Sequence, residues 1–204
     1  MPVNMTQKRA RKAQRRKQVV AEKRRAEAIE SSLPARIRRA ADAPIQHCYL
    51  SDTLFDSGMG MLVLARGATP YHLSFSVFLL DTFSLGIKDV MFNTIEGQAF
   101  ERYLAVMDDD GSVMVTVDPS YARKLLRELA AWSESIGFAP HRDFATVERL
   151  FGDVSADASD AVFRFGHDGK PLHIAGPGDT PAEVRRRIER LQENPRDDGI
   201  ETAA

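Results

Sequence analysis

The sequence predicts an α+β domain, a single mixed and largely antiparallel sheet packed with helices, preceded by a basic N-terminal arm that is helical or flexible. Three observations lead there. Strand-like and helix-like segments follow one another in mixed order along residues 41–194. That stretch is the length of one ordinary domain, and a chain with 43% hydrophobic residues and eleven Phe can fill a core. The charge is also divided. Thirteen of the 28 Lys and Arg lie in residues 1–40 against three Glu, a net of +10, while residues 41–204 carry 15 basic and 26 acidic groups, a net of −11. A near-neutral total therefore hides a basic arm on an acidic body, and such a field governs attraction to polyanions more than it governs fold.

From Thr6 to Glu30 the residues are mostly Lys, Arg, Ala, Gln and Glu, which favour helix, and Lys23 and Glu27 sit at i,i+4 spacing. The large apolar residues there, Val19, Val20 and Ile29, cannot form a stripe, so no core face holds this helix in place. Pro34 ends it, and a short helix is expected over 35–42. The expected division is an arm at 1–40, a globular domain at 41–194 and a disordered tail at 195–204.

Strands are expected over 45–50 and 61–66, separated by Gly58-Met59-Gly60. Leu73 to Asp81 mixes Phe, Val and Leu on both faces, the pattern of a strand buried on both sides. A further strand follows at 87–95, then a helix at 97–107 carrying Phe100, Tyr103, Leu104 and Met107, a turn at 108–111 and a short strand at 113–117. Asp118-Pro119 is an N-cap followed by Pro in the first turn. Ala122, Leu125, Leu129, Trp132 and Ile136 then share one helical face, and Gly137 stops the helix. A helix at 143–151 closes at Gly152. Segments 161–165 and 171–175 flank Asp168-Gly169, a hairpin turn signal. Thr180-Pro181-Ala182-Glu183 forms a capping box for a last helix that ends before Pro195.

The basic arm supplies the first functional candidates: Lys8, Arg9, Arg11, Lys12, Arg15, Arg16, Lys17, Lys23, Arg24 and Arg25. Cations in this number bind nucleic-acid phosphates with counterion release, while the absence of aromatic residues from positions 1–40 argues against stacking on bases. RNA or DNA backbone is thus the expected partner of the arm. Contact with the body's own acidic surface, or an inert tail, are the bland alternatives, and a membrane is excluded as a partner because the arm lacks an apolar face. A protein partner for the acidic body is a further expectation, as is an acidic protein bound by the arm.

For catalysis the candidates are Asp81, Lys88 and His141. The first two, with Asp89, flank the bend at Ser84-Leu85-Gly86 after the most apolar strand, where charged groups either form a polar site or simply rim the core. His141 with Asp143 and His173 has the chemistry of a metal or acid–base site, but no HExxH, CxxC or paired His spacing supports a metal, and no metal or cofactor is expected. Asp143 has a sufficient role as a helix N-cap. His47 and Cys48 are adjacent on a strand and point to opposite faces, so they are not expected to act together. Gly176 to Thr180 is a turn and cap, since Asp179 would repel phosphate. The single Cys suits a reducing compartment, no secretory leader is expected, and the expected location is the cytoplasm.

Segments 78–89 (FLLDTFSLGIKD), 137–141 (GFAPH) and 165–171 (FGHDGKP) resemble stretches of an uncharacterised bacterial protein family, some members of which carry a C-terminal SEC-C-type zinc motif. The resemblance spans residues 44–180 and implies a bacterial cytoplasmic protein, with no activity attached. This chain departs from it in having no C-terminal Cys cluster and Ser84 where a Cys is expected, so the resemblance implies no zinc site here.

Overall fold

A computed structural model describes residues 17, 21, 23–25, 27–107, 112–176 and 179–193, together with the backbone of 201 and 202. The turn expected at 108–111 and most of the tail expected at 195–204 lie outside the described residues.

Helix α1 (Leu33–Ala41) starts at Pro34 in its first turn. It is followed by β1 (Ile45–Ser51), the single turn α2 (Leu54–Ser57), and then β2 (Met59–Thr69), β3 (His72–Asp81) and β4 (Gly86–Glu96). Helix α3 (Gly97–Met107) leads toward β5 (Met114–Thr116), and α4 (Pro119–Ser135) is the longest helix described. The five strands form one sheet in the order β4-β3-β2-β1-β5, with every neighbouring pair antiparallel. The expected α+β architecture is therefore the one observed.

Strand alternation divides the apolar residues between two faces of this sheet. On one face Cys48, Leu50, Leu62, Leu64, Phe78 and Leu80 meet Ile37 of α1 and Leu125, Leu126 and Leu129 of α4. On the other, Val63, Ala65, Leu73, Phe75 and Val77 are capped by Phe100 of α3. Strand β3, interior to the sheet, is buried on both sides, as its mixture of Phe, Val and Leu demands.

Local chemistry places the helices that flank the sheet. Asp118 caps α4 by accepting from Ser120 N at 2.7 Å. Gly86 opens β4 with φ +71 where the turn presses on Ser133 of α4, and a Cβ there would collide with that side chain. In β4 the pairing passes from Leu79–Asp89 to Leu80–Ile87, so Lys88 is the extra residue of a bulge.

Three expectations change. Ile37 is fully buried and Ala35 nearly so, which puts α1 in the core although its sequence lies within the segment read as arm. The helix expected at 143–151 is one α turn, α5 (Phe144–Val147), that tightens into a 3₁₀ turn (Glu148–Phe151) before Gly152. The hairpin expected at 161–175 does not form. Its turn exists, bridged at His167 and Lys170, but Gly166 N donates to Thr82 O and Leu172 N to Phe83 O, so the backbone is spent on the β3–β4 turn. Phe163 and Phe165 pack on the core instead of facing a partner strand, and the short β6 (Leu172–His173) pairs in parallel with β7 (Glu201–Thr202). Helix α6 (Pro181–Glu193) opens with the expected capping box: Thr180 N donates to Glu183 Oε2 at 2.9 Å and Glu183 N to Thr180 Oγ1 at 3.3 Å. Leu191 seats α6 against Leu85, Ile136 and Phe138.

Candidate functional site

Of the ten arm cations, Lys8, Arg9, Arg11, Lys12, Arg15 and Arg16 lie outside the described residues. Lys17, Lys23, Arg24 and Arg25 have helical backbone and exposed side chains. Lys23 makes an i,i+4 ion pair with Glu27 at 3.8 Å, a solvated contact of little energetic weight. Cations continue into α1, where Arg38 and Arg39 are exposed and Arg36 is half-buried. Arg39 reaches back to Glu30, Nη1 to Oε1 at 2.9 Å, and so joins the preceding helical stretch to the packed body.

The catalytic candidates separate. Asp81 is 4% exposed, and its carboxylate accepts from Phe83 N (3.0 Å), Ser84 N (2.8 Å) and Ser84 Oγ (3.3 Å). Those bonds shape the β3–β4 turn, as an Asx cap does. Burial pushes the Asp81 carboxyl up from the ordinary range, against the pull of Ser84 N–H and the charge of Lys88. Lys88 is half-buried with its Nζ 4.0 Å from Met59 Sδ. His141 belongs elsewhere: its N donates to Ile87 O, its Nδ1 accepts from Asp143 N at 3.2 Å, and its Nε2 lies 3.6 Å from Asp89 Oδ1. It faces Asp89, whereas the carboxylate of Asp81 is spent on its own turn.

The imidazole that feels the charges of Asp81 and Lys88 is His173, which sequence spacing gave no reason to join to them. It is 1% exposed, and neither ring nitrogen has a hydrogen-bond partner among the described residues. Burial lowers its pKa, helped by the charges of Arg187 and Lys88 and opposed by Asp81 and Asp179. Arg187 Nη1 in turn sits 2.7 Å from Asp179 Oδ2, and Asp179 also accepts from Gly176 N. Two carboxylates, Asp81 and Asp179, and two half-buried cations, Lys88 and Arg187, thus act through charge on one buried imidazole.

The remaining candidates have structural roles. Cys48 is buried in the core; burial, with the charge of Asp118, pushes its thiol up to about 12, far from a reactive thiolate. His47 points to the opposite face, stacks on Phe100 and lies 3.0 Å from Tyr49 Oη through Nδ1. The metal set His141, Asp143 and His173 is divided between two places, and among the described residues no group of three or more His, Cys, Asp or Glu is placed to hold a metal ion. No described helix is long and apolar enough to cross a membrane. Comparison with family models, curated proteins and solved structures returns no match to this chain.

Proposed function

We propose that this protein binds the sugar–phosphate backbone of RNA or DNA through its basic N-terminal residues, with the acidic body held beside the strand as an accessory or partner-binding domain. The carrying observation is the net +10 of residues 1–40, whose described cations Lys17, Lys23, Arg24 and Arg25 are exposed on helical backbone next to a packed body. Helical spacing spreads these cations around the rod, which suits a phosphate lattice read without base choice. A cytoplasmic location, where a lone buried thiol stays reduced, belongs to this reading. The test is polynucleotide binding by the intact chain and by a version in which the ten arm cations, Lys8 to Arg25, become Gln, which keeps helix propensity. The expected dissociation constant is roughly 10⁻⁴–10⁻⁶ M at physiological salt, weakening steeply as salt rises and lost in the Gln version. Equal binding by both versions, or none by the intact chain, rejects the proposal.

A second reading, an enzyme of unassigned reaction, is favoured by the buried Asp81 and His173, which interact through charge with each other and with half-buried Lys88 and whose carboxyl and imidazole are both displaced from their ordinary values. His141, directed at Asp89, is not among these residues.

A further inference from the structure

Arg66 on β2 is a buried guanidinium, 5% exposed, with no carboxylate within ion-pair distance among the described residues. Its Nη1 donates to Ala43 O and its Nη2 to Phe151 O, both at 2.6 Å, and its Nε is buried without a partner. Asp153 and Asp42 act on it only through charge, and Arg123 opposes them. Burying a cation this way is costly unless a negative charge comes close.

Arg66 lines a concave surface of about 320 Å³ between α1 and the strands β2, β3 and β4. Arg36 and Arg39 of α1 stand on the same surface, and the described lining includes no carboxylate. Arg36 lies over the Phe92 ring, 5.1 Å from its centroid, which fixes the direction of its guanidinium. Ser74 and Thr94 add two hydroxyls 3.5 Å apart. Two carboxylates stand at the margin: Glu30 on Arg39, and Glu96, 3.1 Å from His72 Nδ1. Both pairs are exposed, so each exchanges readily with solvent or with a competing anion.

We propose that this surface is a phosphate-binding site, in which Arg36 and Arg39 donate to the phosphate oxygens, Ser74 and Thr94 complete the donor set, and Arg66 supplies positive potential from the floor. Arginine suits this task because its planar fork matches phosphate geometry. The phosphate has two possible sources, a nucleic-acid strand led in by the basic residues of 1–30 or a free phosphate compound. The strand form rests on the nucleic-acid function proposed above; the phosphate site itself does not.

The experiment uses the full-length protein with two probes at low salt: inorganic pyrophosphate, followed by calorimetry, and a labelled oligonucleotide, followed by anisotropy. The variants are Arg36→Ala with Arg39→Ala, and separately Thr94→Glu, which sets an exposed carboxylate into the site. Pyrophosphate binding should weaken roughly tenfold or more in each. If a strand is the source, oligonucleotide binding should also weaken, and its salt slope should fall by about two in the double variant although the arm is untouched. Pyrophosphate binding that weakens while oligonucleotide binding is unchanged, or absent from the wild type, supports the site with a free phosphate compound as ligand. No pyrophosphate binding by the wild type, or equal binding in both variants, overturns the site.

Discussion

Two arginines are anchored within this molecule in opposite ways. Arg123 of α4 forms a fork with Glu148, Nε to Oε1 at 2.6 Å and Nη2 to Oε2 at 3.3 Å, and its Nη1 also donates to Gly152 O and Val154 O. Arg127 adds a second cation on Glu148 Oε1 at 2.9 Å. Arg66, bonded to the Phe151 carbonyl of the same 3₁₀ turn, has only two carbonyls and an idle Nε. The first site is closed, with the Arg123 guanidinium fully engaged by a buried carboxylate and two carbonyls, so its role is to pin α4 to the 3₁₀ turn. The second is open, with charge in excess of what the fold supplies, and it borders the one surface where Arg36 and Arg39 also gather. A buried ion pair that is complete says little about function, whereas an incomplete one asks what completes it.

The largest expected effect lies at the closed site. Glu148→Ala leaves Arg123 without its carboxylate in a buried setting, and urea unfolding should show a loss of about 3–5 kcal/mol. Arg66→Met should cost less, about 1–3 kcal/mol, because it removes two neutral acceptors' partner together with an uncompensated charge. If Arg66→Met proves the more destabilising of the two, the contrast between closed and open sites fails.

Acid sharpens the comparison further. Burial works to raise the Glu148 carboxyl, but hydrogen bonds and charge from Arg123 and Arg127 outweigh it and hold it below the usual range. Its contribution is therefore complete above the ordinary Glu value and is lost as pH falls below about 4.5, through the depressed folded value. Arg66 has no titrating partner at hydrogen-bond distance and adds no step there. The smallest effect comes from His173, whose lowered pKa means the folded state prefers the neutral ring. Stability is unaffected above pH of about 6.5 and declines as pH falls from there toward the folded value. Asp81, raised by burial, works in the opposite direction by taking up its proton early. His173→Phe should reduce the shallow decline below about pH 6.5, the remainder coming from His47, whose pKa burial also lowers, and leave the steeper loss below 4.5 in place, as read by thermal unfolding across pH. An unchanged profile would mean that the decline belongs to His47 and not to His173.

The long periodic or capped elements were legible in the chain. Asp118-Pro119 and the apolar face from Ala122 to Ile136 led directly to α4, and the Thr180–Glu183 box led to α6. The mixture of Phe, Val and Leu in β3 announced a strand buried on both faces. Helix α1 was harder to read because only Ala35 and Ile37 are buried among its arginines, too few positions to reveal a core face. The Asp168-Gly169 turn was correctly placed, with φ values of 53 and 83, yet the segments beside it did not pair with each other, since their backbone donors found nearer acceptors at Thr82 and Phe83. Of the candidate site residues, Asp81 and Lys88 could be paired from their nearness in sequence. His173 could not, because it is brought in by the segment that wraps the β3–β4 turn.

Local chemistry and charge order, which depend on neighbours within a few residues, were decided by the sequence alone: the strands of the main sheet, the capped helices α4 and α6, and the concentration of cations before residue 40. The pairing of Arg123 with Glu148, the separation of His141 from Asp81, and the gathering of Arg36, Arg39 and Arg66 on one surface depend on how distant elements pack. Those arrangements join or separate residues 25 to 60 positions apart, and only closure of the sheet between its helices brings them about.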